Sequence, residues 1–185
     1  KDPFARNLTA TRPGGSPYES ASSDLEKTEA ATEATGTIAY ATRNPQTRLL
    51  AAKEWYVGAG GNDLLWGGAK EGSVKPVYDP CPAGYRVPDA RHFAEMKSTS
   101  SAECNANYGM LLAVNGEDTK SYFPTSGYLE ANKHVTMYLE YRGYMWLNAG
   151  GATAENRFYF NNAGVNIKNE SHAKGMAVRC VKTEQ

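Results

Sequence analysis

The chain has 185 residues, 41% hydrophobic and 22% charged, with 20 Lys+Arg balanced by 20 Asp+Glu. That composition suits one domain with a real core and excludes wholesale disorder. Zero net charge excludes the global positive field of a dedicated nucleic-acid binder, and no apolar run approaches the ~20 residues of a membrane-spanning helix.

In chain order, the first 36 residues differ from the rest. Arg12-Pro13-Gly14-Gly15-Ser16-Pro17 is turn chemistry, and Glu19 to Gly36 is rich in Ser, Thr, Ala and Glu with Leu25 as its one large aliphatic. The expectation is a solvated loop or an ordered tail on the domain. Leu49 to Val57 reads as a short helix stopped by Gly58, Gly60 and Gly61. Asp89 reads as a helix N-cap, with Phe93 and Met96 on the buried face. Strands follow. Met110 to Val114 and Lys120 to Phe123 flank Asn115-Gly116-Glu117-Asp118, a hairpin pattern. His134 to Tyr141 alternates, placing Val135, Met137, Leu139 and Tyr141 on one face. Gly143 to Asn148, Arg157 to Phe160, Gly164 to Lys168 and Met176 to Lys182 are further short strands. Short helices followed by mostly antiparallel strands and long loops make an α+β domain.

No nucleophile elbow, zinc-protease helix, phosphate-binding loop or dinucleotide fingerprint occurs, so the residues imply no cofactor and no catalytic set. Asn7-Leu8-Thr9 and Asn169-Glu170-Ser171 match the glycosylation sequon, which occurs often by chance. Cys81, Cys104 and Cys180 form no C-x-x-C pair and lie far from His92, His134 and His172, so a structural zinc site is not indicated. Their number fits three reduced thiols in a cytosolic protein as well as one bridge in an exported one.

The most informative segment is Tyr78-Asp79-Pro80-Cys81-Pro82-Ala83-Gly84-Tyr85-Arg86-Val87-Pro88. It resembles the D-P-C-P-x-G-W/Y-R-V-P signature of the Fibrobacter succinogenes major paralogous domain, found in exported surface and fimbrial proteins of Bacteroidetes and Fibrobacter. Other marks resemble that family in the same order. They are Asn44-Pro45 ahead of Trp55, Leu65-Trp66-Gly67, Phe123-Pro124-Thr125-Ser126-Gly127-Tyr128, and Gly175-Met176-Ala177-Val178-Arg179-Cys180-Val181. Lys1-Asp2-Pro3-Phe4 is similar to the end of a Y-x-W-G-R-K-D-P-F segment, so the expectation is a domain start truncated by proteolysis or trimming. The resemblance implies a C-type-lectin-like fold over 37–185, related to the formylglycine-generating enzymes, with 1–36 the loop-rich remainder of the domain start. It implies a Cys81–Cys180 disulfide, leaves Cys104 without a counterpart, and implies an extracellular or outer-membrane-surface location. The calcium-ligating E-P-N, Q-P-D and W-N-D motifs of sugar-binding C-type lectins are absent, as is the reactive cysteine pair of the formylglycine enzymes. No metal site and no enzymatic activity is therefore expected.

Six of the twelve tyrosines fall between Tyr122 and Tyr159. Aromatic, amide and guanidinium side chains are the types recognition surfaces favour, because they offer stiff contact area and adaptable hydrogen bonds. The candidate ligand-binding residues are Tyr128, Tyr141, Tyr144, Trp146, Asn148, Arg157, Tyr159, Asn161, Asn162 and Asn166. Against each stands a bland alternative: a core aromatic in a strand, or an amide in a plain turn. The expected function is an adhesin-like module on a bacterial surface or pilus tip that recognises a host or microbial glycan or protein. Other pilus subunits are possible partners; nucleic acid is not one, and no membrane span is expected. Two alternatives remain: a structural subunit of a surface filament or lipoprotein assembly, and, well behind, a carbohydrate-active enzyme needing two carboxylates in one cleft.

Overall fold

The computed structural model describes residues 27–58, 65–67, 75–94, 96–98, 108–113, 120–133, 135–148 and 156–183. The 115–118 turn, Cys104, His134 and residues 1–26 lie outside these.

Strand β1 (Lys27–Ala30) runs parallel to β2 (Thr47–Leu50), joined through helix α1 (Ile38–Arg43). Thr37 caps α1 by accepting from the Tyr40 amide, and Asn44 closes its far end by donating to the Tyr40 carbonyl. The Tyr40 hydroxyl donates to Glu29, tying the helix back to β1. Two expectations are corrected here. Residues 27–30, read as solvated loop, are a strand. Leu49 and Leu50, read as the start of a helix, complete its partner, and 51–58 carries no helix. Leu49 is the buried residue of β2, so the segment buries one position in a ladder rather than a helical stripe.

β3 (Tyr85–Arg86) pairs with the final strand β12 (Val181–Lys182), beside the Cys81–Cys180 disulfide, whose partners are 99 residues apart. Asp79 organises this corner. Its fully buried carboxylate accepts from the Cys81 amide at 2.8 Å and the Val87 amide at 3.0 Å. Lys75 Nζ lies 3.5 Å away and also donates to the carbonyls of Cys81, Pro82 and Tyr85. The D-P-C-P-x-G-Y-R-V-P run is thus a turn assembled around one carboxylate, which aims Cys81 at the last strand.

Helix α2 (Arg91–Ala94) begins where the sequence predicted, with Asp89 accepting from the Arg91 amide. β4 (Lys97–Ser98), β5 (Gly109–Ala113) and β6 (Lys120–Pro124) form one antiparallel sheet. β7 (Tyr128–Leu129) and β8 (Thr136–Met137) form a two-stranded ribbon. β9 (Gly143–Trp146), β10 (Arg157–Asn161) and β11 (Gly164–Lys168) form a meander. The core lies between the meander, the β4–β6 sheet and α2: Phe93, Met110, Leu112, Phe123, Met145, Phe158 and Phe160. Phe93 stacks on Phe158 with centroids 4.5 Å apart, and Phe123 meets both edge-on.

The alternation over 134–141 does not become the long strand expected. Pairing ends at Met137, because Tyr138 (φ 55°) and Glu140 (φ 70°) adopt left-handed backbone. A bulky residue rarely does so, and the surroundings must hold it there. Glu140 N donates to the Thr125 carbonyl, and Gly127 N to that of Arg142, folding the turn onto the segment before β7. Likewise only Val181–Lys182 of the predicted 176–182 strand is continuous; Gly175 and Ala177 make single bridges to Leu129 and Met145.

Candidate functional site

Register divides the meander into two faces. Phe158 and Phe160 point into the core with Met145. On the opposite face the cross-strand pairs are Tyr159–Tyr144 and Arg157–Trp146, with Asn166 opposite Tyr159 on β11. The alternation therefore brings together five of the candidate residues.

The tyrosines form a continuous stack. Tyr144 lies nearly parallel to Tyr159 at 5.7 Å and to Tyr138 at 6.3 Å, and takes the edge of Tyr128 at 4.9 Å. Cations cover it: Arg157 lies 4.8 Å from the Tyr159 centroid, Arg142 4.0 Å from that of Tyr138, and Lys174 4.3 Å from that of Tyr128. Arg157 is also bonded to Glu170 at 2.9 Å, and Lys174 to Glu170 at 3.0 Å. Burial works against the Lys174 ammonium, but Glu170, Tyr128 and Glu130 together raise its pKa above the ordinary lysine value. Burial is also the main reason the Tyr128 hydroxyl is raised.

Not every candidate joins the stack. Asn161 caps the β10–β11 turn by accepting from the Ala163 amide, and Asn162 is exposed in that turn. Tyr141 stands 62% exposed on the turn before β9. Tyr144 is buried, so it offers a ligand little surface of its own.

Trp146 and Asn148 lead elsewhere, to a cavity of about 400 Å³. Asn148 is fully buried and donates to the Trp66 carbonyl at 2.6 Å, which pins Leu65-Trp66-Gly67 across the end of β9. Trp66 then meets Trp146 at 6.4 Å with planes 71° apart, and the His172 ring lies 6.2 Å from Trp146. Trp55 and Glu54 complete this wall, and Glu54 is 2.6 Å from His172 Nδ1. Leu49, Leu129 and Ala173 supply apolar lining. All three tryptophans of the chain thus border one cavity.

Sequence reasoning missed Glu54, Trp55, Trp66, His172 and Lys174 as site residues. Trp55 and Trp66 were visible only as marks of the resemblance, and nothing local signals that Glu54, Trp55 and Trp66 meet Trp146, His172 and Lys174. Glu54 is the one carboxylate bordering the cavity among the described residues. Among the same residues no group of three or more His, Cys, Asp or Glu is placed to hold a metal, and no helix is long and apolar enough to cross a membrane.

No family model, no curated protein and no solved structure matches the chain.

Proposed function

We propose that the chain is the ligand-binding, adhesin-like domain of a bacterial cell-surface or pilus-tip protein, with a C-type-lectin-like fold and no enzymatic activity. The observation that carries this reading is the cavity in which Trp55, Trp66 and Trp146 converge beside Glu54 and His172. Binding sites are typically concave, mostly apolar and provided with a few placed polar groups. The cavity adjoins the tyrosine stack through the Arg157–Trp146 pair and Lys174, so the C-terminal strands and loops form one recognition face. The ordered motifs of the sequence support the family, and the disulfide suits an oxidising, exported setting. Among the described residues Glu54 is the one carboxylate at the cavity, whereas a glycosidase uses two.

The test is a glycan- and protein-array screen with the whole chain beside a Tyr159→Ala/Arg157→Ala variant and a Trp55→Ala variant, each checked for native circular dichroism. Specific binding, weakened in at least one folded variant, is expected. An array silent for the intact protein overturns the reading and favours a structural subunit of a surface filament.

A further inference from the structure

We infer that the tryptophan-lined cavity takes an uncharged saccharide, with a sugar ring against the half-buried Trp66, which Trp146 backs, and neighbouring hydroxyls on the Glu54 carboxylate. This rests on the reading of the chain as a binding domain and gives that reading its ligand chemistry.

The size is right for a small ligand, since about 400 Å³ falls within the usual range of binding pockets. The indole wall is the first chemical clue. Trp146 is buried and meets Trp66 edge-on with planes 71° apart, so it braces the half-buried Trp66 indole that the cavity presents. A ring with an apolar face is held there by dispersion, at the low entropy cost of stiff aromatic walls.

Charge is the second clue. Among the described residues, each charged side chain lining the cavity is already engaged within the protein. Arg48 donates to the carbonyls of Lys133 and Glu130. Lys174 is held by Glu170 at 3.0 Å and Glu130 at 3.8 Å. Glu54 is held by His172 at 2.6 Å and receives the Tyr56 amide at 3.3 Å. A charged ligand that took over Lys174 or Glu54 would strand Glu170 or His172 in a partly buried site. An uncharged ligand leaves them in place.

Hydrogen-bonding capacity is the third clue. A carboxylate offers about four acceptor positions. The two bonds made by Glu54 leave the others to a ligand that donates. A purely apolar occupant would cover them unmet, at the cost of desolvating an acceptor. A sugar satisfies both halves of the site: an apolar ring face for the indoles and adjacent hydroxyl donors for the carboxylate.

The molecule carries its own probe. Because all three tryptophans border the cavity, its intrinsic emission reports on this site alone. The experiment titrates the whole chain with three sets: neutral hexose and N-acetylhexosamine oligosaccharides, uronate- and sialate-containing ones, and cyclohexanol as an apolar ring without neighbouring hydroxyls. The expected result is a saturable emission change with a neutral sugar, weakened tenfold or more in both Trp66→Ala and Glu54→Gln. Trp66 is half-buried outside the Phe core, and Trp55→Ala serves as a second variant if Trp66→Ala does not fold. Charged sugars binding as tightly as neutral ones overturn the inference. So does cyclohexanol matching the sugars, or an affinity unchanged in the variants. If no sugar changes the emission while the arrays still show a protein ligand, this inference falls and the binding-domain reading stands.

Discussion

Replacing Asp79 with alanine isolates the chemistry of the D-P-C-P turn. The carboxylate is fully buried and accepts two backbone amides, from Cys81 at 2.8 Å and Val87 at 3.0 Å. A hydrogen bond to a charged group contributes about 1.5–3 kcal/mol, and a buried amide left without an acceptor carries a similar desolvation cost. Two such amides therefore place the loss at roughly 3–6 kcal/mol. Lys75 does not add to it, because its ammonium keeps the carbonyls of Cys81, Pro82 and Tyr85. Against a total of about 5–15 kcal/mol for a folded domain, this is a large fraction. Asp79→Asn should lose nearly as much, since its amide nitrogen would turn a donor toward one of the two N–H groups. Urea unfolding of the oxidised proteins, followed by tryptophan emission, measures the difference. A shift below ~1 kcal/mol in Asp79→Ala would refute the reasoning, because it would mean that water serves both amides as well as the carboxylate does.

Other outcomes follow from the same geometry. Cys81→Ser/Cys180→Ser, or reduction of the native protein, should cost up to ~4–5 kcal/mol on the loop-entropy model for a loop of this length; urea midpoints with and without reductant measure it. Gly143→Ala should destabilise by about 1–3 kcal/mol, because a Cβ there enters the ring of Phe160, its cross-strand partner; thermal unfolding detects this, and an unchanged midpoint would show that the Phe160 ring yields freely. Asp89 should contribute a pH-dependent increment. Burial raises its pKa, but the hydrogen bond from Arg91 and the charges of His92 and Arg91 outweigh this, so the folded value lies below 3.8. Its stabilisation is then present above about pH 4 and lost as pH falls through the lowered value. Asp89→Asn should be less stable than the parent at pH 6, with the gap closing toward pH 2–3 in paired urea titrations; a gap that stays constant would remove Asp89 from the acid response.

What could be read in the sequence was local. Short strands at 143–148 and 157–160 were readable, and Tyr144, Trp146, Arg157 and Tyr159 were candidates singly; that the two strands pair and set these four on one face comes from the register. The Cys81–Cys180 bond followed from the family resemblance alone, since the cysteine spacing left it undecided. Leu49 and Leu50 misled because a parallel partner 20 residues earlier claims their backbone, and no local pattern announces a parallel pair. The 134–141 alternation misled because period-two hydrophobicity says nothing about the left-handed turn at Tyr138 and Glu140. The cavity was illegible for a related reason. Its walls join residues as distant as Leu49, Trp55 and Trp66 to Leu129, Trp146 and His172, and their meeting depends on a buried amide, Asn148, reaching the Trp66 carbonyl.

The disulfide also divides the cavity by mechanical connectivity. Leu49, Glu54, Trp55 and Trp66 precede Cys81, whereas Trp146, His172 and Lys174 lie between the two cysteines. A pull applied ahead of Cys81 and beyond Cys180 passes through the sulfur bridge, so the enclosed residues bear no tension. The load falls on the segment before the bridge, where residues 27–80 could pay out roughly 180 Å of extended chain. One wall of the cavity would then peel from another that stays covalently braced. A force–extension trace should show this length released before any reduction of the bridge, and no such step in a variant that staples β2 to the C-terminal loop. A ligand seated among the tryptophans would be released by traction on the chain that carries it.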